Sequence, residues 1–107
     1  MTTDHLIIFN TCPDKSTAQA IAQALVKAKL AACVQIGQAI ESVYEWDGQI
    51  CQSQEVPLQI KCLARHFDAI EQLLIQRHPY DVPEIIATPI TRGLPSYLTW
   101  IEETTAS

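Results

Sequence analysis

Basic residues are scarce in this chain: 7 lysines and arginines stand against 12 aspartates and glutamates, for a net charge of −5 over 107 residues. A fold this acidic has no electrostatic means of holding DNA, RNA or an anionic membrane, and more readily attracts cations. Long apolar runs are missing too, since nothing approaches the ~20 residues that a membrane span requires. The first apolar run, Leu6-Ile7-Ile8-Phe9, is too short for a leader. Met1-Thr2-Thr3-Asp4-His5 lacks the basic start and the small-residue cleavage site of a secretory signal. The four cysteines, Cys12, Cys33, Cys51 and Cys62, form no C-x-x-C pair and no zinc-type spacing. The expectation is a cytoplasmic protein whose thiols stay reduced and are buried as small hydrophobes. No linker or low-complexity tract divides residues 1–107, and 48% apolar with 18% charged residues is a globular balance, so one domain with one core is expected.

What is present alternates between strand and helix periods. Leu6 to Asn10 reads as a short strand, after which Asp14 or Ser16 can cap a helix bearing Ala18, Ile21, Ala22, Leu25 and Val26 on one face. Val34 and Ile36 resume a strand period, and Gly37 marks a bulge or bend. Ile40, Ser42, Tyr44 and Trp46 then share one face, with Glu41, Val43 and Glu45 on the other. Asp47-Gly48 is the two-residue signature of a tight hairpin turn, because both positions must tolerate positive φ. In the return arm Val56, Leu58, Ile60 and Cys62 alternate with Glu55, Pro57, Gln59 and Lys61. Phe67, Ile70, Leu73 and Leu74 mark a second helix ended by Pro79, Ile85-Ile86 opens a last strand, and Ser96 can cap a terminal helix with Tyr97, Trp100 and Ile101.

The order β-α-β-β-α-β plus a terminal helix predicts an α+β, ferredoxin-like domain with helices on one face of an antiparallel sheet. Its hairpin runs well past the usual ~5–6 residues of a strand, further than two short helices can cover. Tyr44 and Trp46 near its tip make it an aggregation hazard unless a partner covers it. A symmetric homo-oligomer that pairs hairpins between subunits would do so.

Four segments resemble one family. They are Leu30-Ala31-Ala32-Cys33-Val34, the hairpin Ser42 to Ile50 followed by Glu55 and Lys61, the segment His78-Pro79-Tyr80-Asp81-Val82-Pro83-Glu84-Ile85, and Tyr97-Leu98-Thr99-Trp100. Together they look like the CutA divalent-cation-tolerance proteins, over nearly the whole chain. The resemblance implies a tight homotrimer, similar in architecture to PII-type signalling proteins. It also implies a link to copper and other divalent cations, and no established enzymatic activity. In enteric members a copper site is attributed to a cysteine ending the first strand and two consecutive histidines before the Pro-Tyr. Those positions read Asn10, Arg77 and His78 here, so one ligand of the three is kept. Lys61-Cys62 stands where the family usually has Lys-Thr.

The candidate site residues follow. His78, with Glu84 as a carboxylate partner, is the candidate for weak Cu(II) or other divalent-cation binding; its alternative is a helix-terminal histidine facing the last carbonyls. His5 and His66 are expected at the surface. Tyr44, Trp46, Tyr80, Tyr97 and Trp100 either line a ligand cleft or anchor a subunit interface, with interface preferred and a boundary pocket as its consequence. Glu55 and Lys61 share a strand face, either as an interface salt-bridge network or as a polar site. An acylphosphatase-like hydrolase is the competing function. It would need a phosphate-cradling loop with an arginine after the first strand, where Thr11-Cys12-Pro13-Asp14 supplies an acid instead. An RNA-recognition module shares the topology but would need stacking aromatics on a basic sheet, and is set aside.

Overall fold

The computed structural model of the protein describes residues 4–106; Met1-Thr2-Thr3, read above for the absence of a leader, lie outside them. The elements are β1 (His5–Cys12), α1 (Lys15–Lys27), β2 (Ala31–Ile36), β3 (Ile40–Trp46), β4 (Gln49–Leu63), α2 (Phe67–Arg77), β5 (Ile86–Pro89) and α3 (Pro95–Thr104). A single 3-10 turn, Ala64–His66, leads into α2. The sheet runs β2-β4-β1-β5, and β3 pairs with β4 beyond that path. β1 and β2 are each antiparallel to β4, so they run parallel with β4 between them, which is the ferredoxin-like arrangement.

β4 has 15 residues and changes partners midway. From Val56 onward it pairs with β1, and from Leu58 also with β2, whereas Gln49 to Glu55 pair with β3 alone. Gly37 lies at the break between β2 and β3, and its amide donates to the Pro57 carbonyl at 2.9 Å. A proline inside a central strand normally loses a ladder bond. Here the flanking strand is interrupted opposite Pro57, so the missing N–H has little to lose. The backbones approach closely enough that a Cβ on Gly37 would lie 2.9 Å from Pro57 Cγ. At the hairpin tip Asp47 and Gly48 adopt φ of 56° and 77°, the left-handed pair expected of a two-residue turn. Ile50 and Val43 stand exposed on one hairpin face, Tyr44 and Trp46 on the other.

One face of the sheet (Ile8, Cys12, Leu58, Ile60 and Cys62) is sealed by Ile21 and Leu25 of α1 and by Ile70 and Leu74 of α2. Asp14 caps α1, accepting from the Thr17 amide at 2.7 Å. The expectation that all helices share this face fails for α3. Its Ile101 packs with Ala32 and Leu63, and Leu63 alternates with Cys62, so α3 covers part of the opposite face. Ser96 does not cap α3: the helix starts at Pro95 after Leu94, with no side-chain cap, because proline's preset φ and absent N–H suit the first turn.

The two remaining histidines depart from the surface expectation. His5 is buried, its Nε2 3.2 Å from the Leu98 carbonyl and 3.0 Å from Glu102 Oε2, which ties β1 to α3. His66 is half-buried, and burial, then the neighbouring Arg65, lower its pKa. All four thiols are free, but only Cys12 and Cys62 are buried; Cys33 and Cys51 are half-buried. Among the described residues no helix is long and apolar enough to cross a membrane.

Gly37→Ala is expected to destabilise the fold by about 1–3 kcal/mol, because the rigid Pro57 ring cannot swing aside. Thermal unfolding checks this, and an unchanged midpoint would show that the strand break tolerates a wider gap.

Candidate functional site

A cleft of about 530 Å³ opens where the β3–β4 hairpin leaves the sheet, which is within the usual size of a small-molecule site. Tyr44, Trp46 and Cys51 reach it from the hairpin, Thr11 and Glu55 form part of its wall, and the loop from Tyr80 to Glu84 closes the other side. The strand period explains the hairpin's share. Tyr44 is opposite Cys51, and Ile40 is opposite Glu55, so the even positions of β3 and the odd positions of β4 look the same way.

Glu55 is the buried charge of this wall. The Thr11 hydroxyl donates to its Oε2 at 3.0 Å. Burial alone pushes its pKa upward, but hydrogen bonds from the Ser42, Tyr80 and Thr11 hydroxyls outweigh it and hold the carboxyl below the ordinary value. Tyr80 responds in the opposite sense: burial, then its bond to the Glu55 carboxylate and the charge itself, push the phenol up to about 12. The cleft therefore contains an ionised carboxylate and a protonated phenol across the neutral pH range.

The end of β1 organises this wall. Asn10 Nδ2 donates to the Glu84 carbonyl at 2.8 Å, which pins the loop to the strand. Thr11 offers its carbonyl to His78 Nε2 at 2.7 Å, while the Tyr80 amide donates to His78 Nδ1 at 3.2 Å. A carbonyl only accepts and an amide N–H only donates, so His78 is the neutral Nε2–H tautomer with both nitrogens engaged. Its ring also lies 4.6 Å from that of Tyr80, centroid to centroid.

The sequence-predicted residues thus separate into groups. Tyr44, Trp46, Tyr80, Glu55 and Glu84 come together at the cleft. His78 stands behind it as a support, with both ring nitrogens hydrogen-bonded within the chain. The other positions of the implied copper site fit no better. Asn10 is spent on Glu84, and the Cys12 thiol donates to Asn10 Oδ1 at 3.4 Å. Burial, reinforced by Asp14 and Glu55, raises the Cys12 pKa to about 11, so it is no thiolate donor near neutrality. Among the described residues no cluster of His, Cys, Asp and Glu is arranged to hold a metal ion.

Lys61 and Trp100 are elsewhere. Lys61 donates to Gln35 Oε1 at 2.8 Å and sits 5.9 Å above the Tyr97 ring, which in turn packs against Trp100. Six residues of strand at ~3.3 Å each place Lys61 roughly 20 Å from Glu55, too far for an ion pair within one chain. Thr11, Ser42, Cys51 and Asp81 are cleft or second-layer residues that sequence reading passed over. Ser42 and Cys51 were recoverable from strand parity. Thr11 was not, because the expected strand ends at Asn10, whereas β1 continues to Cys12. The acylphosphatase reading gains no support, since the α1 N-terminus carries the Asp14 carboxylate, which accepts from the Thr17 amide, where a phosphate would need a positive setting.

Two outcomes follow. His78→Ala should cost about 2 kcal/mol or more, because it strands a carbonyl and an amide, while copper affinity by calorimetry stays unchanged. A fall in copper affinity with stability intact would return His78 to ligand duty. For Glu55 the folded pKa is depressed, so its stabilisation is present above the ordinary value of 4.5 and is lost as pH falls through the folded value. Glu55→Gln should therefore flatten the acid limb of a melting-temperature–pH profile; an unaltered limb would show that the carboxyl is not held ionised.

The geometry can now be set beside known proteins. The family model described as CutA1 divalent ion tolerance protein matches residues 6–104. The divalent-cation tolerance protein CutA of Thermus thermophilus is 39% identical over 92% of this chain and 96% of its own length. Protein CutA of Mus musculus is 41% identical over 92% of this chain, which spans only 56% of the mouse protein. The crystal structure of CutA1 from Shewanella sp. SIB1 superposes with a TM-score of 0.96 at 60% identity, with both chains covered in full. With the strand order, the projecting hairpin and the whole length of the domain in agreement, the chain belongs to the CutA1 divalent ion tolerance protein family.

Proposed function

We propose that the protein acts in divalent-cation tolerance as a non-enzymatic cytoplasmic homotrimer that holds a small ligand or metal ion in the cleft at the hairpin base. The observation that carries this reading is the cleft itself. It combines a buried anion with three aromatic rings, two of them on a hairpin whose outer residues have no cover of their own. Trp46 is 52% exposed, Val43 66% and Ile50 78%, a surface that a single subunit does not hide. Hairpins of neighbouring copies packed together would cover it and leave each cleft at a subunit boundary. A cytoplasmic setting agrees with four unpaired thiols.

Because Asn10 and His78 are both engaged in hydrogen bonds within the chain, this reading gives a cation its place in the acidic cleft. A non-enzymatic role agrees with the cleft's chemistry. The nearest thiol, Cys51, donates to the Gln49 carbonyl at 3.8 Å, and no imidazole lines the wall to act as its base.

Static light scattering at micromolar concentration should give three times the chain mass, and a monomer would overturn the trimer. Trp46→Ala should lower the concentration stability of the assembly by about 2 kcal/mol or more, read by dilution. No change on dilution would place Trp46 outside the interface.

A further inference from the structure

We propose that the cleft takes a small organic monocation, an alkyl- or methylammonium group seated on Tyr44 and Tyr80 and facing Glu55. This deepens the ligand-cleft reading above and rests on it. The first step concerns charge. Glu55 is only 9% exposed, yet among the described residues no lysine or arginine pairs with it; its hydrogen-bond partners are hydroxyl groups, and the nearby His78 ring, which also favours the carboxylate, spends both nitrogens on backbone groups. Neutral donors stabilise a carboxylate but do not cancel its charge, and a buried net charge draws a counter-charge. Asp81 and Glu84 add two more acids to the lining, which contains no lysine, arginine or histidine.

The second step concerns the kind of cation. A bare divalent ion prefers several oxygen ligands converging at short range. Here the carboxylates are not gathered into such a cluster. The rest of the lining is aromatic or apolar instead: Tyr44, Trp46, Tyr80, Val82 and Pro83. Tyrosine and tryptophan faces attract cations through their quadrupoles, and they do so best for ammonium groups with an apolar shell that is easily stripped of water. A cleft of about 530 Å³ accommodates such a group with a short substituent. Charge selects a cation, and the walls select an organic one.

The test is calorimetric titration of the assembled full-length protein with choline as the trimethylammonium probe. A parallel titration uses its neutral isostere, the alcohol bearing a tert-butyl group, and a third uses Cu(II) alone. Saturable choline binding is expected, with the isostere about tenfold weaker or more. Glu55→Gln should weaken choline by about tenfold, and Tyr44→Leu, which leaves the buried carboxylate and its hydroxyl donors in place, should weaken it several-fold. Circular dichroism and light scattering verify that each variant is folded and assembled, and Tyr44→Leu alone decides if Glu55→Gln is not. Equal binding of choline and its isostere, or choline affinity indifferent to Tyr44→Leu, overturns the organic-cation assignment. Binding of Cu(II) without choline, abolished by Glu55→Gln, overturns it as well but leaves the cleft as a ligand site. If no probe binds and Glu55 is neutralised by a basic residue of a neighbouring subunit, both readings fall.

Discussion

β4 belongs to three pairings at once, and most of the molecule follows from how it divides itself among them. Its C-terminal half is a buried central strand, held on one side by β1 and on the other by β2. Its N-terminal half has only β3 for company. A strand of 15 residues is far longer than the sheet that two helices can cover, so its outer part has to leave the core. The changeover needs a residue that gives up a donor and a partner strand that can break. Pro57 and Gly37 meet that need at one place. Glu55 comes two residues before Pro57, at the point where β4 has lost its inner partners but not yet reached solvent. A charged side chain there is buried by position rather than by any packing of its own.

The last three residues of β1 solve the problem that this creates. Asn10, Thr11 and Cys12 are all buried, and two of them are polar. Asn10 and Thr11 direct their hydrogen-bonding groups at the loop after α2 and at Glu55, so the loop is fastened by directed bonds and not by apolar packing. Such bonds contribute modestly when made and cost more when one partner is removed, which makes them better at fixing geometry than at raising stability. The same residues show what occupies the three positions at which the resemblance implied a metal site. An asparagine that clasps a carbonyl and a histidine with both nitrogens engaged form a joint in the scaffold. The site that remains lies on the far side of that joint, in the cleft.

Much of the fold was legible because local signals agreed with one another. The Asp47-Gly48 turn, the parity of β3 and β4, the Asp14 cap and the two amphipathic helices each pointed to the same topology. The place of α3 was not legible: its apolar residues are compatible with either face of the sheet, and only the Ala32–Leu63 patch on the far face decides between them. The cleft was legible in part. Tyr44, Trp46 and Glu55 declared themselves through strand parity, and Tyr80 and Glu84 through a recognisable segment. Lys61 shared that parity with Glu55 but not its surroundings, because parity reports the face of a strand and says nothing about distance along it. The surroundings of His78 were not legible for a related reason. A histidine at a helix end looks available in sequence, whereas here a carbonyl and an amide brought in by the chain's own path take up both sides of the ring.

Thr11 brings these strands of argument to a single residue. Its carbonyl receives the His78 ring, which carries the Tyr80 amide on its other nitrogen, and its hydroxyl donates to Glu55. Tyr80 then closes the circuit, since its phenol is also bonded to Glu55. The loop and the buried carboxylate are therefore tied to one backbone position, and neither can move without straining a bond to the other. Wall and charge are prearranged relative to each other before anything binds, so a ligand that fits them has less ordering to do on arrival. That rigidity is confined to one side of the cleft. The opposite side is a hairpin held by β3–β4 pairing alone, with its aromatic residues half in solvent. The charge of the site is thus fixed by the buried side, and its aromatic face by a hairpin that one chain alone leaves half in solvent.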